Sequence, residues 1–292
     1  MTLYIDIYII NIEKKRGADT QGETNMIDTR KAHKVTKREI YAKYGIEYKD
    51  GKIMSPLGLV RELLKVGNDK TGKLVLTFST CPGRGTYTAV VNGFEITVKG
   101  TCVCECVGCY AMTGHYHRKT VKKSMVINTW LVNNALDFVR RALSAQIEYA
   151  GRGEVRIHAA GDFNTTDSDA YANTWHDIAA AFRAFRFWTY TKIKKYETLF
   201  DDLKNANVVK SLIPNVGKNY GHCGYIIDTY YALKALDKSV YICRCGVDKA
   251  QHCERCGVCA TYEYVLFIEH STEYKAELDP LYPKLCEIAN NQ

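Results

Sequence analysis

Hydrophobic positions in the middle of the chain follow two different periods, and the change from one to the other predicts the secondary structure. Within residues 122–150 they recur mostly at three- and four-residue steps, the spacing of one helix face, and Gly151 is a typical helix stop. Short runs rich in β-branched and aromatic residues predict strands at 74–79, 155–158 and 185–191. Helix and strand therefore alternate through the centre of the chain.

A hairpin and several shorter elements complete this pattern. Two β-rich runs within residues 86–98 are separated by Asn92-Gly93, a dipeptide that favours the positive φ angles of a tight turn. An amphipathic helix is predicted at 57–66, and a second helix follows the 161–168 loop and runs to about residue 185. The other predicted elements are a short helix ending near 205 and strands at 208–213, 225–227, 240–243 and 264–268. Strands joined by helical crossovers at this spacing form parallel sheets, so the predicted fold class is α/β.

These elements divide the chain into three parts. Residues 1–72 are dense in charge and turn formers, and they are predicted to form a charged N-terminal arm with one helix, so that the ordered core begins near Lys73. Residues 73–242 form the predicted α/β core, with the small β-hairpin as an insertion. Residues 243–292 form a cysteine-rich, metal-binding C-terminal segment that includes the last strand.

Composition narrows the class of protein. A chain of 292 residues with 46% hydrophobic content can bury a core. No apolar run reaches the length of a membrane span, and the apolar start at residues 3–10 contains Asp6 and lacks a preceding basic region. We therefore expect a cytoplasmic protein with no signal peptide and no membrane partner.

Positive charge leaves two interpretations open. The net charge is +8, and basic residues cluster at 14–16, 30–38, 118–123 and 192–195. Such runs bind the phosphate groups of nucleic acids in many proteins, and in others they form a solvated surface. A nucleic acid or a nucleotide is thus one candidate substrate or partner.

Cysteine usage points to metal. The chain has 12 cysteines, and nine of them lie in two short segments, at residues 102–109 and 243–259. Thiols two or three residues apart are poorly placed to bridge each other and well placed to converge on one ion or cluster. The sequence therefore predicts two metal sites rather than a set of disulfides.

The first segment has the spacing C-x3-C-x2-C at Cys102, Cys106 and Cys109. Three thiolates on one short loop can hold three irons of a 4Fe-4S cluster and leave the fourth open to a substrate or cofactor. Cys104 lies inside the motif and can replace Cys102 in the set. A closed zinc site with four thiolates, recruiting Cys81, is the alternative that does no chemistry.

The second segment offers four thiolates at Cys245, Cys253, Cys256 and Cys259, with Cys243 and His252 as further donors. Four protein ligands leave no coordination position open to a substrate. The sequence therefore predicts either a second 4Fe-4S cluster that passes electrons or a structural zinc at this segment. In both cases the metal contributes directly to folding.

Polar residues follow each predicted parallel strand. His158, Gly161 and Asp162 come after the second strand and Lys192 after the third. Carboxyl ends of parallel strands meet at one edge of a sheet, so these loops and the first cysteine loop are expected to form one site, with Asp162 and Lys192 as candidate catalytic residues. His158 can equally be a buried, hydrogen-bonded histidine, and Lys192 a solvated member of a basic run.

An ordered set of motifs carries a resemblance to a known family. The motifs are Cys-x2-Cys109-Tyr110-Ala111, Arg156-Ile-His158-x2-Gly161-Asp162-Phe163, Tyr171-x3-Trp175 and Tyr190-Thr191-Lys192. Together they resemble the phage-associated gene product 88 domain family over roughly residues 81–270. The resemblance implies a phage-encoded protein that works in the host cytoplasm, and it names relatives rather than a reaction.

A more distant resemblance is to radical S-adenosylmethionine enzymes, whose cluster motif has the same C-x3-C-x2-C spacing. It implies a partial (β/α) barrel-like parallel sheet with a 4Fe-4S cluster on Cys102, Cys106 and Cys109, and an external electron donor. The open iron would bind S-adenosylmethionine, which an electron cleaves to a 5′-deoxyadenosyl radical. The implied cofactor-binding residues are Tyr110, His158, Gly161 and Asp162, and the Asp162 carboxylate would accept the cofactor's amino group.

Two hypotheses follow from these features. The first is a radical S-adenosylmethionine-like enzyme whose substrate is unknown and is a nucleic acid, nucleotide, peptide or small metabolite. The second is a non-catalytic, zinc-binding accessory protein that binds nucleic acid through its basic runs.

Overall fold

Seven strands in succession, followed by a region in which helices and strands alternate, make up most of the computed structural model. It describes residues 35–67, 74–103, 111, 116, 118–210, 222–243, 256, 258–266 and 280–291. In chain order the elements are α1 (Lys37–Lys43), β1 (Tyr48–Lys49), β2 (Lys52–Ser55), β3 (Gly58–Arg61), β4 (Lys65–Val66), β5 (Val75–Ser79), β6 (Thr86–Val91), β7 (Phe94–Lys99), α2 (Lys119–Asn134), α3 (Leu136–Ala150), β8 (Gly153–Ala160), α4 (Ser168–Ala181), β9 (Phe185–Thr191), β10 (Ala206–Lys210), α5 (His222–Ala235), β11 (Val240–Ile242), β12 (Tyr264–Leu266) and α6 (Tyr282–Asn290).

The central sheet has five strands in the order β10-β9-β8-β5-β4. Strands β5, β8, β9 and β10 are parallel, and β4 pairs antiparallel with β5 at the edge. Each parallel strand lies beside the one before it in the chain, as in a singly wound α/β fold. The prediction of parallel strands with crossovers is confirmed, and the fold class is mixed α/β. The described strands show an open sheet and no closed barrel.

One face of this sheet, here called the helix face, packs against the helices. Phe78, Val155 and Phe187 on that face are fully buried in the main core, and the Phe78 ring meets the Trp175 ring of α4 edge to face at 5.4 Å. Side chains point alternately to the two faces of a sheet, so the neighbours of these residues along each strand lie on the opposite face, here called the far face. The predicted strands at 74–79, 155–158 and 185–191 are confirmed, because they correspond to β5, β8 and β9.

The β6–β7 hairpin is confirmed, including its turn. Asn92 and Gly93 have φ angles of 50° and 88°, as a tight two-residue turn requires. The long helical pattern at 122–150 is two helices, α2 and α3, separated at Ala135, where φ is −149°. Gly151 ends α3 with a φ of 74°, as its sequence position predicted.

The prediction of a helix at 57–66 is wrong, because this segment contains the strands β3 and β4. Gly58 opens β3 with a φ of 80°, and the Ser55 hydroxyl bridges the turn before it. Further on, the backbone N–H groups of Leu63 and Leu64 both donate to Gln146 Oε1 of α3, at 2.9 and 3.0 Å. Long-range pairing has overridden a pattern of apolar positions that fits a helix locally.

The ordered core begins well before Lys73, contrary to the predicted arm. Tyr41 of α1 and Ile53 of β2 are fully buried, and the Tyr41 hydroxyl donates to Glu62 at 2.7 Å. The predicted peripheral layer therefore contributes to the main core from α1 onward.

The C-terminal part has a small core of its own. Ile227 of α5, Ile242 of β11 and Leu285 of α6 pack together, and β11 runs parallel to β12. The predicted strands at 240–243 and 264–268 are found as β11 and β12, whereas residues 225–227, predicted as a strand, lie in α5. Over the described ranges, no helix has the length and apolar character needed to cross a membrane.

Candidate functional site at the strand ends

Thr101, the residue before Cys102, is tied to the ends of two parallel strands. Its hydroxyl lies 2.7 Å from the Thr80 hydroxyl and donates to the Cys81 carbonyl at 3.2 Å, both in the loop after β5. The same hydroxyl accepts a hydrogen bond from the Asp162 N–H at 2.9 Å, in the loop after β8. The first cysteine loop therefore starts at the carboxyl end of the parallel sheet, where the sequence placed it.

Asp162 connects these loops to the end of β9. Its Oδ1 accepts from the Thr191 hydroxyl and from the Phe163 N–H, each at 2.8 Å, and its Oδ2 accepts from the Lys192 N–H at 3.0 Å. The side chain is buried, and burial raises the pKa of the carboxyl above its usual range although the three hydrogen bonds lower it. Asp162 thus joins three loops.

Gly161 leaves the space that this junction needs. Its φ is +90°, and a Cβ added there would lie 1.9 Å from Thr80 Oγ1 and 2.6 Å from Thr101 Oγ1. No residue with a side chain fits between these hydroxyls without displacing them. We call the cluster of Thr80, Thr101, Gly161, Asp162 and Thr191 the strand-end hub.

His158 points into the helix face rather than toward the strand ends. It sits at a register shift in β8 with a φ of 59°, and its Nε2 lies 2.8 Å from the Tyr171 hydroxyl of α4. Its Nδ1 lies 3.3 Å from the Thr189 hydroxyl, and burial lowers its pKa to about 3. These contacts favour the interpretation of His158 as a buried, neutral core residue.

Lys192 joins the hub through its backbone N–H, and its side chain is half-buried. Among the first cysteines, Cys102 is half-buried and its N–H donates to the Gly83 carbonyl at 3.1 Å. Cys104, Cys106, Cys109 and Tyr110 lie outside the described residues. Cys81 is fully buried, and burial raises the pKa of its thiol to about 12, which favours an unreactive buried thiol.

The second cysteine segment meets the far face of the sheet. The Tyr190 hydroxyl donates to Cys259 Sγ at 2.9 Å, and the Asn207 side-chain amide donates to the carbonyls of Cys259 and Tyr262, each at 2.9 Å. Burial raises the pKa of Tyr190 well above its usual range, and the proximity of Cys259 and Cys243 adds to this. Both cysteines therefore lie within electrostatic reach of one hydroxyl.

The structure describes only some of the other candidate metal ligands of the second cysteine segment. Cys243 and Cys256 are half-buried, while Cys245, His252 and Cys253 lie outside the described residues. Within the part of the chain that the structure describes, no three His, Cys, Asp or Glu side chains converge closely enough to hold a metal. The predicted ligand sets stay predictions.

The sequence singled out Tyr190 only as a member of the Tyr190-Thr191-Lys192 motif, and it gave no sign that Thr101 and Asn207 are anchoring residues. Position was the only signal for these two: Thr101 directly precedes the cysteine motif, and Asn207 lies on the same face of the neighbouring strands as Tyr190. The far face is also charged, since Glu154 pairs with Arg186 and the Arg156 guanidinium lies 5.2 Å from the Tyr190 ring centre.

A comparison with protein-family models identifies the chain's relatives. The model described as Gene product 88 matches residues 60–261, more than half of the chain. The chain belongs to the gene product 88 family. This match begins in β3 and ends just after Cys259, so the gene product 88 region includes the strand-end hub and both cysteine segments. No curated protein and no solved structure matches the chain.

One cavity of about 410 Å³ lies beside β10 in this gene product 88 protein. Its lining includes Phe200, Asn207, Lys210, Thr261 and Glu263, and Lys210 forms an ion pair with Glu263. None of the hub residues lines it. The cavity is therefore separate from the residues that anchor the first cysteine loop.

Proposed function

We propose that this protein is a phage-type iron-sulfur protein that acts as a radical S-adenosylmethionine-like enzyme in the host cytoplasm. Its 4Fe-4S cluster would be held by Cys102, Cys106 and Cys109, and its substrate is a nucleic acid, nucleotide or other molecule not yet identified. The observation that carries the proposal is the anchoring of Thr101, next to Cys102, to the ends of β5 and β8. In open α/β sheets this edge is where ligands bind.

The described residues fit a cluster at the start of the loop. Cys102 is half-buried, so its sulfur is neither sealed in the core, as Cys81 is, nor on an exposed tip. Three thiolates would leave one iron open to bind S-adenosylmethionine, and the reduced cluster would supply the electron that cleaves it. The strand-end hub would hold the loop and exclude water from its base.

The geometry suits Asp162 to positioning rather than to binding the cofactor's amino group. Three protein donors already occupy its carboxylate, and the side chain is only 4% exposed. The Lys192 side chain is the catalytic candidate that we retain at this edge. The second segment, with Cys245, Cys253, Cys256 and Cys259, would hold the additional cluster or zinc, and an external donor would reduce the first cluster.

The test is anaerobic purification followed by iron, sulfide and zinc analysis of the wild type and two variants. We expect a brown protein, and we expect Cys106→Ala to lose about four irons, the content of one such cluster, together with S-adenosylmethionine cleavage. Cys286→Ala is the matched control, since Cys286 is a half-buried thiol in α6, and it should keep both.

A colourless protein with stoichiometric zinc and no iron would overturn the proposal. It would favour the zinc-binding accessory protein instead, and salt-sensitive binding to DNA or RNA would then be the measurement that supports that function.

A further inference from the structure

Tyr190 reaches the second cysteine segment from the far face of β9. Its hydroxyl lies 2.9 Å from Cys259 Sγ, and its ring lies under the Arg156 guanidinium at 5.2 Å. The ring is thus held in place by the sheet, and the hydroxyl is the part that extends to the sulfur. A phenol hydroxyl donates a hydrogen bond to a thiolate more strongly than to a neutral thiol.

Asn207 fixes the backbone around the same cysteine. It lies on β10, two strands from β8, and its amide donates to the carbonyls of Cys259 and Tyr262. These carbonyls flank the end of a 3₁₀ helix, Val258–Ala260. Tyr190 on β9 therefore orients the sulfur of Cys259, and Asn207 on the neighbouring strand β10 orients its backbone.

We propose that Tyr190 is a positioning residue for a metal centre at the second cysteine segment, with Cys259 as the ligand that accepts its hydrogen bond. Partners of this kind orient ligand atoms and tune the bound metal in many metalloproteins. The inference rests on the second metal centre of the proposed function. It deepens that function by naming the sheet residues on which the centre is built.

The same strand end also serves the strand-end hub. Thr191, the next residue along β9, points to the opposite face and donates to Asp162, whose N–H is bonded to Thr101 beside Cys102. Two adjacent residues of one rigid strand therefore orient the two cysteine regions from opposite faces. A change at the Tyr190 hydroxyl should affect the second centre and leave the first cluster intact.

The experiment follows metal retention in the Cys106→Ala background, where the metal still bound belongs to the second segment. The whole chain is purified anaerobically, its iron and zinc are quantified, and release to EDTA is followed over time. Losing such a partner typically lowers metal affinity about 10- to 100-fold. With metal access to the site unchanged, Tyr190→Phe should therefore release the metal on the order of 10- to 100-fold faster than the parent.

Tyr196→Phe is the matched control. Tyr196 is also a largely buried tyrosine near the end of β9, and its hydroxyl donates to Asp169 at 2.7 Å instead of to a cysteine. Its release rate should equal that of the parent. Asn207→Ala is a second test, expected to accelerate release with Tyr190 intact, and circular dichroism checks that each variant is folded.

Three results decide the matter separately. Unchanged release from a folded Tyr190→Phe, or an equal acceleration by Tyr196→Phe, overturns the role of Tyr190 and leaves the proposed function standing. A parent that binds metal here while the wild type has no cluster at the first loop overturns the proposed function and leaves the inference standing. A parent without metal overturns the second centre and the inference with it.

Discussion

The two cysteine segments meet the sheet in different ways. The first starts from the strand-end hub, where buried hydroxyls, a carboxylate and a glycine link three loops. The second is held at Cys259 by one hydroxyl and one amide, from Tyr190 and Asn207. The first loop thus begins on a base that folding itself builds, whereas the second segment would gain order from the metal centre that we propose for it.

The largest expected effect tests the hub directly. Replacing Gly161 with Ala puts a methyl group 1.9 Å from Thr80 Oγ1 and forces a side chain into a φ of +90°. We expect the free energy of unfolding to fall by about 3 kcal/mol or more, from strain and overpacking together. Urea unfolding of the metal-free protein measures it.

Gly93→Ala is the control for backbone strain alone. Gly93 has nearly the same φ, +88°, and nothing lies within 4 Å of an added Cβ. Its cost should be about 1 kcal/mol. If both variants lose the same stability, the hub is not a tightly packed junction and the contrast between the two cysteine segments fails.

A smaller effect is expected for Asp162→Asn. The amide can accept at only one oxygen, so either the Thr191 hydroxyl or the Lys192 N–H loses its acceptor in a buried place. The free energy of unfolding should fall by about 2 kcal/mol.

Asp137→Asn is the matched surface change, because the Asp137 carboxylate also accepts from two groups, on Arg140 and Arg141, and is 65% exposed. The free energy of unfolding of Asp137→Asn should fall by less than about 1 kcal/mol. Equal losses in the two variants would show that Asp162 contributes no more than a surface carboxylate.

The most gradual expected effect, spread over a range of pH, concerns His158, which belongs to the helix face. Burial lowers its pKa to about 3 from an ordinary 6.5, so below pH 6.5 the unfolded chain takes up a proton that the folded protein does not. The contribution of His158 to the free energy of unfolding is fully present above pH 6.5. It decreases as the pH falls, by up to about 1.4 kcal/mol per pH unit.

His158→Gln removes this proton uptake. Urea unfolding at pH 6.5, 6.0, 5.5 and 5.0 should show a shallower fall in the variant than in the wild type, since carboxylates contribute equally to both. Parallel curves would mean that His158 is accessible to protons in the folded state and is not the buried core residue described above.

Local signals were enough to predict the parts of the fold set by local chemistry. The Asn92-Gly93 turn, the Gly151 helix stop and the strand at 185–191 all depend on neighbours in sequence, and all are found. The segment at 57–66 was mispredicted because β3 pairs with β2, β4 pairs with β5, and Gln146 of α3 accepts from the N–H groups of Leu63 and Leu64 between them. No periodicity within the segment contains that information.

For the candidate site, sequence predicted that three loops would meet and the structure brings those loops together. It did not predict the roles of the residues within them. Asp162 and Gly161 were predicted to bind a cofactor. In the structure the Asp162 carboxylate accepts from Phe163, Thr191 and Lys192, and Gly161 packs against Thr80 and Thr101. A motif gives residue types and spacing, whereas saturation of a carboxylate by protein donors depends on side chains brought together from distant loops.

The short antiparallel strand β4 has a consequence for how partners can be recognised. It covers the outer edge of β5, and at the other side of the sheet the Lys210 N–H of β10 donates to the Glu263 carbonyl. Exposed sheet edges recruit extended peptides and other copies of a chain, and an edge strand as short as β4 offers few backbone groups for such pairing. We therefore expect a partner of this sheet to be selected through side chains rather than by adding a strand of its own.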